Sequence, residues 1–333
     1  MSAFHKWARV VACLAFVVVV VGAYVRLMDA GLGCPDWPGC YGAITPLHAS
    51  DDIAKAVAQQ GGTHGPVSLP KAWKEMVHRY LAGSLGLLIL SLAVWSWRSR
   101  REDARQSRFL ATSLVVLVAL QAALGMWTVT MLLKPVIVTL HLLGGMATLA
   151  LLTWLALRGD DPVQSRSPPA RPALRAAAAV GLLILIAQIA LGGWVSTNYA
   201  ALACVDFPQC HGTWVPNMDF QHGFQLVREL GMTAAGTHLA YEAITAIHWT
   251  HRVGALITVV VLGTLAVMLV RERRTAAWGA LLVALLTAQV TLGITNILGG
   301  LPLPVAVAHN ALAALLLVTL VVINFRLFHR AAR

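Results

Sequence analysis

Residues 22–42 read GAYVRLMDAGLGCPDWPGCYG, and 170 positions later residues 192–212 read GGWVSTNYAALACVDFPQCHG. Both contain C-x-D-[WF]-P-x-C, and each sits at the end of an apolar run of the roughly 20 residues that a bilayer crossing needs. A second pair, QAALG at 121–125 and QVTLG at 289–293, aligns at an offset of 168, and QIALG at 188–192 shows the same pattern. The chain is built from two related halves. Working outward from the repeats, eight apolar runs emerge, at 8–27, 76–97, 109–130, 137–157, 175–196, 246–270, 276–297 and 304–325. Four spans per half is an even number, so both halves cross the membrane in the same direction, related by an axis near the bilayer normal.

The expected fold is an all-α membrane protein, eight transmembrane helices as two tandem, same-orientation four-helix bundles. Residues 1–157 form the first half, 158–174 a Pro-, Ser- and Arg-rich cytoplasmic linker, and 175–333 the second half. Composition agrees: of 333 residues 58% are hydrophobic and 12% charged, with a mean hydropathy of +0.71. That excludes a soluble catalytic domain. A transmembrane β-barrel is excluded too, because its strands alternate apolar and polar residues. The segment holding Lys6 and Arg9 before VVVVVGAY resembles a signal peptide; its counterpart later in the chain marks it as a retained span.

The net charge is +11, and its placement carries the meaning. Lys6, Arg9, Arg98, Arg100, Arg101, Arg105, Arg108, Arg158, Arg166, Arg171, Arg175, Arg271, Arg273, Arg274, Arg326, Arg330 and Arg333 are 17 of the 25 cationic residues. With eight spans they all fall on one side, which the positive-inside rule makes the cytoplasm, with both termini there. No basic stretch interleaves with aromatic residues, so nucleic acid is set aside as a partner; membrane lipid is the medium. The opposite side carries two long loops, 28–75 and 197–245, whereas TVTMLLKP and ILGGLPLP read as tight turns between antiparallel helices. Gly61, Gly62, Gly65, Pro66 and Pro70 suggest that the first long loop is poor in regular structure.

Cys34 and Cys40, and Cys204 and Cys210, sit at identical spacing in these loops. Four cysteines allow three connectivities. Five intervening residues with a Pro and an Asp permit a closed local turn, which favours Cys34–Cys40 and Cys204–Cys210, as structural staples or as an exchangeable redox pair. Cys13 lies inside the first span.

Of 12 histidines, five lie in spans: His78 in EMVHRYLAG, His141 in TLHLLGGM, His248 and His251 in IHWTHRVGA, and His309 in VAHNALAAL. Each falls near the outer start of the second, fourth, sixth or eighth span. These spans all run inward, so the histidines share a depth. Polar groups at membrane depth are costly and default to function. Two imidazoles per half suit paired axial ligation of haem iron across a bundle, and glycines and alanines follow each candidate (Gly83, Gly86, Gly144, Gly145, Gly254, Ala255, Ala311, Ala313, Ala314). Zinc or copper fits less well, since no carboxylate or thiolate completes a tetrahedral set. Arg79 and Arg252, next to ligand candidates, are candidate propionate partners or else snorkelling interfacial arginines. Three residues before the HR dipeptide the halves differ, with Glu75 in the first and His248 in the second. At i and i+3 Glu75 shares a face with His78, which suggests proton or substrate chemistry; the alternative is an interfacial glutamate near Lys74.

Taken together, the C-x-D-W-P-x-C loop, the EMVHR, HLLGG and AHN segments and the second HR segment resemble the haem A synthase family over nearly the whole chain. The resemblance implies a bacterial inner-membrane oxidoreductase that converts a ring methyl of haem O to a formyl group, giving haem A for terminal oxidases. It implies that His251 and His309 hold a resident haem b, that His78 and His141 flank the substrate haem, and that Glu75 is the essential carboxylate. It also matches Cys34 and Cys40 to the family's first-loop pair, while a pair such as Cys204 and Cys210 occurs in only some members. Expected partners are the haem O synthase (protohaem farnesyltransferase), oxidase assembly factors and an unnamed electron donor or acceptor; homo-oligomerisation is left open. His248 has no assigned role. Two other readings are a di-haem cytochrome-b-like quinol electron carrier and a haem transporter or assembly chaperone; neither gives both Glu75 and the cysteine pairs a role.

Overall fold

The structure, a computed structural model, describes residues 2–99, 106–159 and 171–328. Most of the expected linker, 160–170, lies outside the described residues, as do Arg100, Arg101, Arg105, Arg330 and Arg333.

Among the described residues there are ten helices and no strand: α1 (Ala3–Leu27), α2 (Ser50–Gln59), α3 (Leu69–Arg98), α4 (Arg108–Thr130), α5 (Pro135–Leu157), α6 (Pro172–Thr197), α7 (Phe220–Gly223), α8 (Tyr241–Val270), α9 (Ala276–Leu298) and α10 (Leu303–Phe328). All but α2 and α7 are long and apolar enough to cross a membrane, so the chain is a multi-pass all-α membrane protein, and each expected span corresponds to one helix. In such a helix every backbone polar group is satisfied internally, which is the condition for lying in hydrocarbon.

Three helices begin five or more residues earlier than hydropathy indicates: α1, at Ala3 instead of 8, and the two that carry the HR dipeptides. α3 starts at Leu69 instead of 76, and α8 at Tyr241 instead of 246. The extra turns hold Lys71, Lys74, Glu75 and Glu242, which carry no apolar signal. The entry to α3 is nonetheless well specified: the Ser68 hydroxyl accepts the Lys71 N–H at 3.4 Å, and Pro70 occupies the first turn, where a missing N–H costs nothing. The histidines consequently sit further from the starts of their helices than expected, His78 being the tenth residue of α3 and His251 the eleventh of α8. The first long loop is also more regular than its glycines suggested. It contains α2, whose Asp51 and Asp52 stand in the first turn where the helix dipole favours negative charge, and whose Ile53 is buried.

The long helices close into two rings. α1 packs on α3 and α5, and α4 completes the ring by packing on both; α6, α8, α9 and α10 repeat the arrangement, with α6 and α9 each packed on α8 and α10. The rings meet along α1, α5, α6 and α10. At that seam residues 170 positions apart touch: Arg26 donates to the Ser196 carbonyl at 2.8 Å and the Tyr199 hydroxyl to Asp29 at 2.7 Å. Small and polar residues mediate the closest approaches, as expected where lipid removes the hydrophobic drive between helices. A Cβ on Gly193 would stand 2.9 Å from Leu142 Cδ2, the Thr139 and Thr197 hydroxyls are 3.2 Å apart, and Asn324 donates to the Ala178 carbonyl at 3.0 Å. α10 is the most buried of the eight, and one apolar core including Leu92, Leu152, Leu265 and Leu320 runs through both rings. Leu87, Phe109 and Val116 point outward.

Candidate functional site: opposed histidines beneath two disulfide loops

His78 on α3 and His141 on α5 occupy opposite members of the first ring, and His251 on α8 and His309 on α10 opposite members of the second. Members of each pair are close enough to interact electrostatically, and all four rings are half-buried. Each histidine lies against a glycine of a neighbouring helix. Cβ atoms built on Gly22, Gly125, Gly192 and Gly293 would stand 2.9, 3.2, 3.1 and 3.2 Å from Cε1 of His78, His141, His251 and His309 respectively. The rings therefore alternate helices that carry an imidazole with helices that carry the glycine making room for it. The Nδ1 atoms of His78, His141 and His309 are buried without a hydrogen-bond partner.

One turn before three of these glycines stands a glutamine. The Gln188 amide nitrogen is 3.1 Å from His251 Nδ1, and that of Gln289 is 3.2 Å from His309 Nε2. Gln121 lies over Gly144, and Gln188 over Gly254, so closely that a Cβ at either glycine would overlap the amide. Sequence reading counted Gly144 and Gly254 as room for a macrocycle; the glutamine amides fill it. The glutamines and their paired glycines were missed as site residues, although the QAALG, QIALG and QVTLG repeats contain them.

Above the histidines, each long loop folds on the same plan. Cys34 is joined to Cys40 and Cys204 to Cys210, while Cys13 is unpaired and exposed. The aspartate between the cysteines ties the turn: Asp36 accepts the Tyr41 and Gly42 N–H groups at 2.6 and 2.8 Å, and Asp206 accepts those of His211 and Gly212, both at 2.8 Å. Gly42 and Gly212 adopt φ of +74° and +72°, which glycine takes without steric cost. The Gly212 N–H, ahead of the His211 N–H, holds the Asp206 carboxyl below its ordinary value of 3.8.

The arginine after each HR histidine latches its loop. Arg79 donates to the Asp36 and Gly39 carbonyls at 2.7 and 2.5 Å; Arg252 donates to those of Gln209 and Cys204 at 2.8 and 2.6 Å. These guanidinium donors are directed at the loop, a destination the sequence did not disclose. Glu75, buried at 4% exposure, accepts the Cys34 N–H at 3.0 Å and pairs with Arg79 at 2.5 Å, whereas Lys74 lies over the Tyr24 ring. Its carboxylate thus faces the loop and Arg79, although its register with His78 had suggested a shared pocket. His248, equally buried, occupies the matching place in the second half: its Nδ1 accepts the Cys204 N–H at 3.1 Å. His248 is thereby the structural counterpart of Glu75.

These features define a class, a multi-pass helical membrane protein whose intramembrane polar groups gather as opposed histidines beneath paired disulfide loops. Comparison with known proteins narrows it. A family model described as cytochrome oxidase assembly protein (COX15-CtaA) matches residues 5–321, and the chain belongs to that family. A heme A synthase from Shewanella oneidensis is 44% identical over 332 residues, covering 97% of this chain and 96% of that protein. Proteins of the same name from Rhizorhabdus wittichii and Shouchella clausii are 29% and 30% identical, covering 96% and 84% of this chain and 92% and 87% of their own lengths.

Proposed function

We propose that the protein is a haem A synthase, an oxidoreductase that converts one ring methyl of haem O into a formyl group. The observation that carries the reading is the opposition of two imidazoles in each ring, each beside a glycine that keeps a neighbouring backbone close. The residues fit a haem. Iron asks for neutral nitrogen donors on its two faces, and orphaned buried ring nitrogens supply that chemistry. The pairing across the seam of positions 170 apart supports a two-fold relation between a first half (1–157) and a second half (175–333) joined by 158–174.

On this reading His251 and His309 hold a resident haem b, and His78 and His141 receive the substrate haem O. Bound haem b supplies a one-electron carrier. Oxidising a methyl to a formyl group removes four electrons from carbon and releases protons, so the substrate half needs a group to accept protons or to offset positive charge. Glu75, one helical turn before His78 in sequence and held by the Cys34 N–H and Arg79, is assigned that role. Arg79 and Arg252 act first as loop latches and, each next in sequence to a histidine ligand, are the cations assigned to the propionates on this reading. The basic helix ends support an orientation with both termini in the cytoplasm, in a bacterial inner membrane. The haem O synthase and oxidase assembly factors are the natural partners, with an electron donor or acceptor of unassigned identity.

The test is chromatography of haems extracted from cells that co-express this chain with the farnesyltransferase making haem O. Haem A appearing only when both are present supports the proposal. Two tight b haems with no haem O consumed would favour a quinol electron carrier, and bound haem O that is never converted would favour a transporter.

A further inference from the structure

Four helices bring a glycine against a histidine, and one turn earlier, on the same face, three of them carry glutamine: Gln121 on α4, Gln188 on α6 and Gln289 on α9. The fourth, α1, carries Val18, which is buried in the apolar core. Resting on the reading of the four histidines as haem ligands, we propose that Gln121, Gln188 and Gln289 are positioning residues that fix the rings of His141, His251 and His309, and that Val18 leaves His78 as the ligand able to swing away.

An imidazole that gives one nitrogen to iron keeps its proton on the other, and an acceptor for that proton fixes the ring and raises its donor strength. Two of the glutamine amides stand where such an acceptor is needed, and the third, Gln121, lies over Gly144, one turn along α5 from His141. Gln188 and Gln289 lie within 3.1 and 3.2 Å of a ring nitrogen, and the amide oxygen of each is buried without a partner. Rotation of the terminal amide exchanges its oxygen and nitrogen, which presents that oxygen to the ring N–H. An amide buried in an apolar bundle is costly unless hydrogen-bonded. Its recurrence at three equivalent places, twice over a glycine that admits no Cβ, is therefore not a packing accident. His78 and His141 both leave Nδ1 without a partner; they differ in that His141 has the Gln121 amide about one turn away, over Gly144, while His78 has apolar Val18 at the corresponding place.

The consequence separates two sites built on one scaffold. In the second ring both ligands are fixed, which suits a haem that stays. In the first ring His141 has a glutamine amide within reach of its helix turn and His78 has none, so a haem would be held from one face and admitted or released on the other.

The test uses the purified full-length protein with its resident haem, and reads redox midpoint, low-spin resonance signature and the rate of haem transfer to apomyoglobin. Gln188→Leu and Gln289→Leu are expected to raise the midpoint and to speed transfer about 10- to 100-fold, the usual cost of losing an outer partner of a metal ligand. Gln188→Glu, which keeps and strengthens the acceptor, is expected to lower the midpoint, a reversal of sign that a packing role does not produce. Val18→Gln should slow release of haem O from the first ring by a similar factor. Unchanged midpoint and transfer in the leucine variants, shifts of the same sign for leucine and glutamate, or unchanged haem O release in Val18→Gln would each overturn the proposal. A His251→Ala protein that retains its low-spin haem would instead contradict the ligand reading beneath it.

Discussion

At one place the two halves solve the same structural problem with different chemistry. The loop N–H of Cys34 is accepted by the Glu75 carboxylate, and that of Cys204 by the His248 ring. Arg79 and Arg252 latch their loops through equivalent carbonyls; Arg79 forms a contact ion pair with a buried carboxylate, Glu75, whereas Arg252 has only the longer-range charge of Asp206 in its loop. An imidazole therefore suffices to hold the loop, and the arginine keeps its place without a carboxylate in contact with it. The negative charge of Glu75 exceeds what the scaffold requires, and burying it without need is expensive. That excess is the structural argument that Glu75 acts on the substrate.

Substituting the two residues alike breaks the comparison most directly. Glu75→Gln keeps an acceptor for the Cys34 N–H and the shape of the side chain, so the fold and the resident haem should survive while haem A formation falls by about a hundredfold or more, as for lost acid–base groups. His248→Gln also keeps an acceptor and should leave formation within a few-fold of the parent. Equal effects on haem A from the two variants would remove Glu75 from the chemistry.

The disulfides offer a second contrast. Replacing Cys204 and Cys210 by Ser should lower stability by about 2–4 kcal/mol and leave turnover of the folded fraction unchanged, measured by thermal unfolding and haem extraction in parallel. Cys34→Ser should lower turnover as well, because losing the disulfide loosens the turn whose Cys34 N–H helps to hold Glu75. Intact turnover in a folded Cys34→Ser protein would show that the loop does not position the carboxylate.

A smaller effect is expected with acid. The depressed Asp206 carboxyl contributes stability that is present above its ordinary value of 3.8 and is lost as pH falls through its lower folded value. Proteolysis or hydrogen exchange of residues 204–213 should therefore rise only below about pH 4, and in Asp206→Asn the rise should be absent because the loop is already loosened. Exposure of the loop beginning near pH 6 would assign its hold to another group.

The eight spans, the 170-residue repeat, the disulfide partners and the histidine layer were legible in sequence because each depends on local hydropathy or spacing. What was not legible depends on how a helix is turned. His78 and Glu75 stand at i and i+3, which places them on one face but does not say that Glu75 reaches back to the loop. Arg79 reads as a cation at an interface, and its carbonyl partners lie some 40 residues away in sequence. The start of α3 escaped hydropathy because its first turns are polar, and α2 escaped because ten amphipathic residues between glycine-rich segments give no long period. The glutamines were visible as repeat markers, yet only the packing of α4 on α5, α6 on α8 and α9 on α10 reveals that they meet the histidines.

The central claim, that one scaffold holds a resident haem in its second ring and a substrate haem in its first, is tested most directly by optical and resonance spectra of the four single histidine-to-alanine proteins purified under identical conditions. The account predicts that His251→Ala and His309→Ala lose the low-spin b-type signal, whereas His78→Ala and His141→Ala keep most of it and fail only to convert haem O. Equal loss of the signal in all four would contradict it.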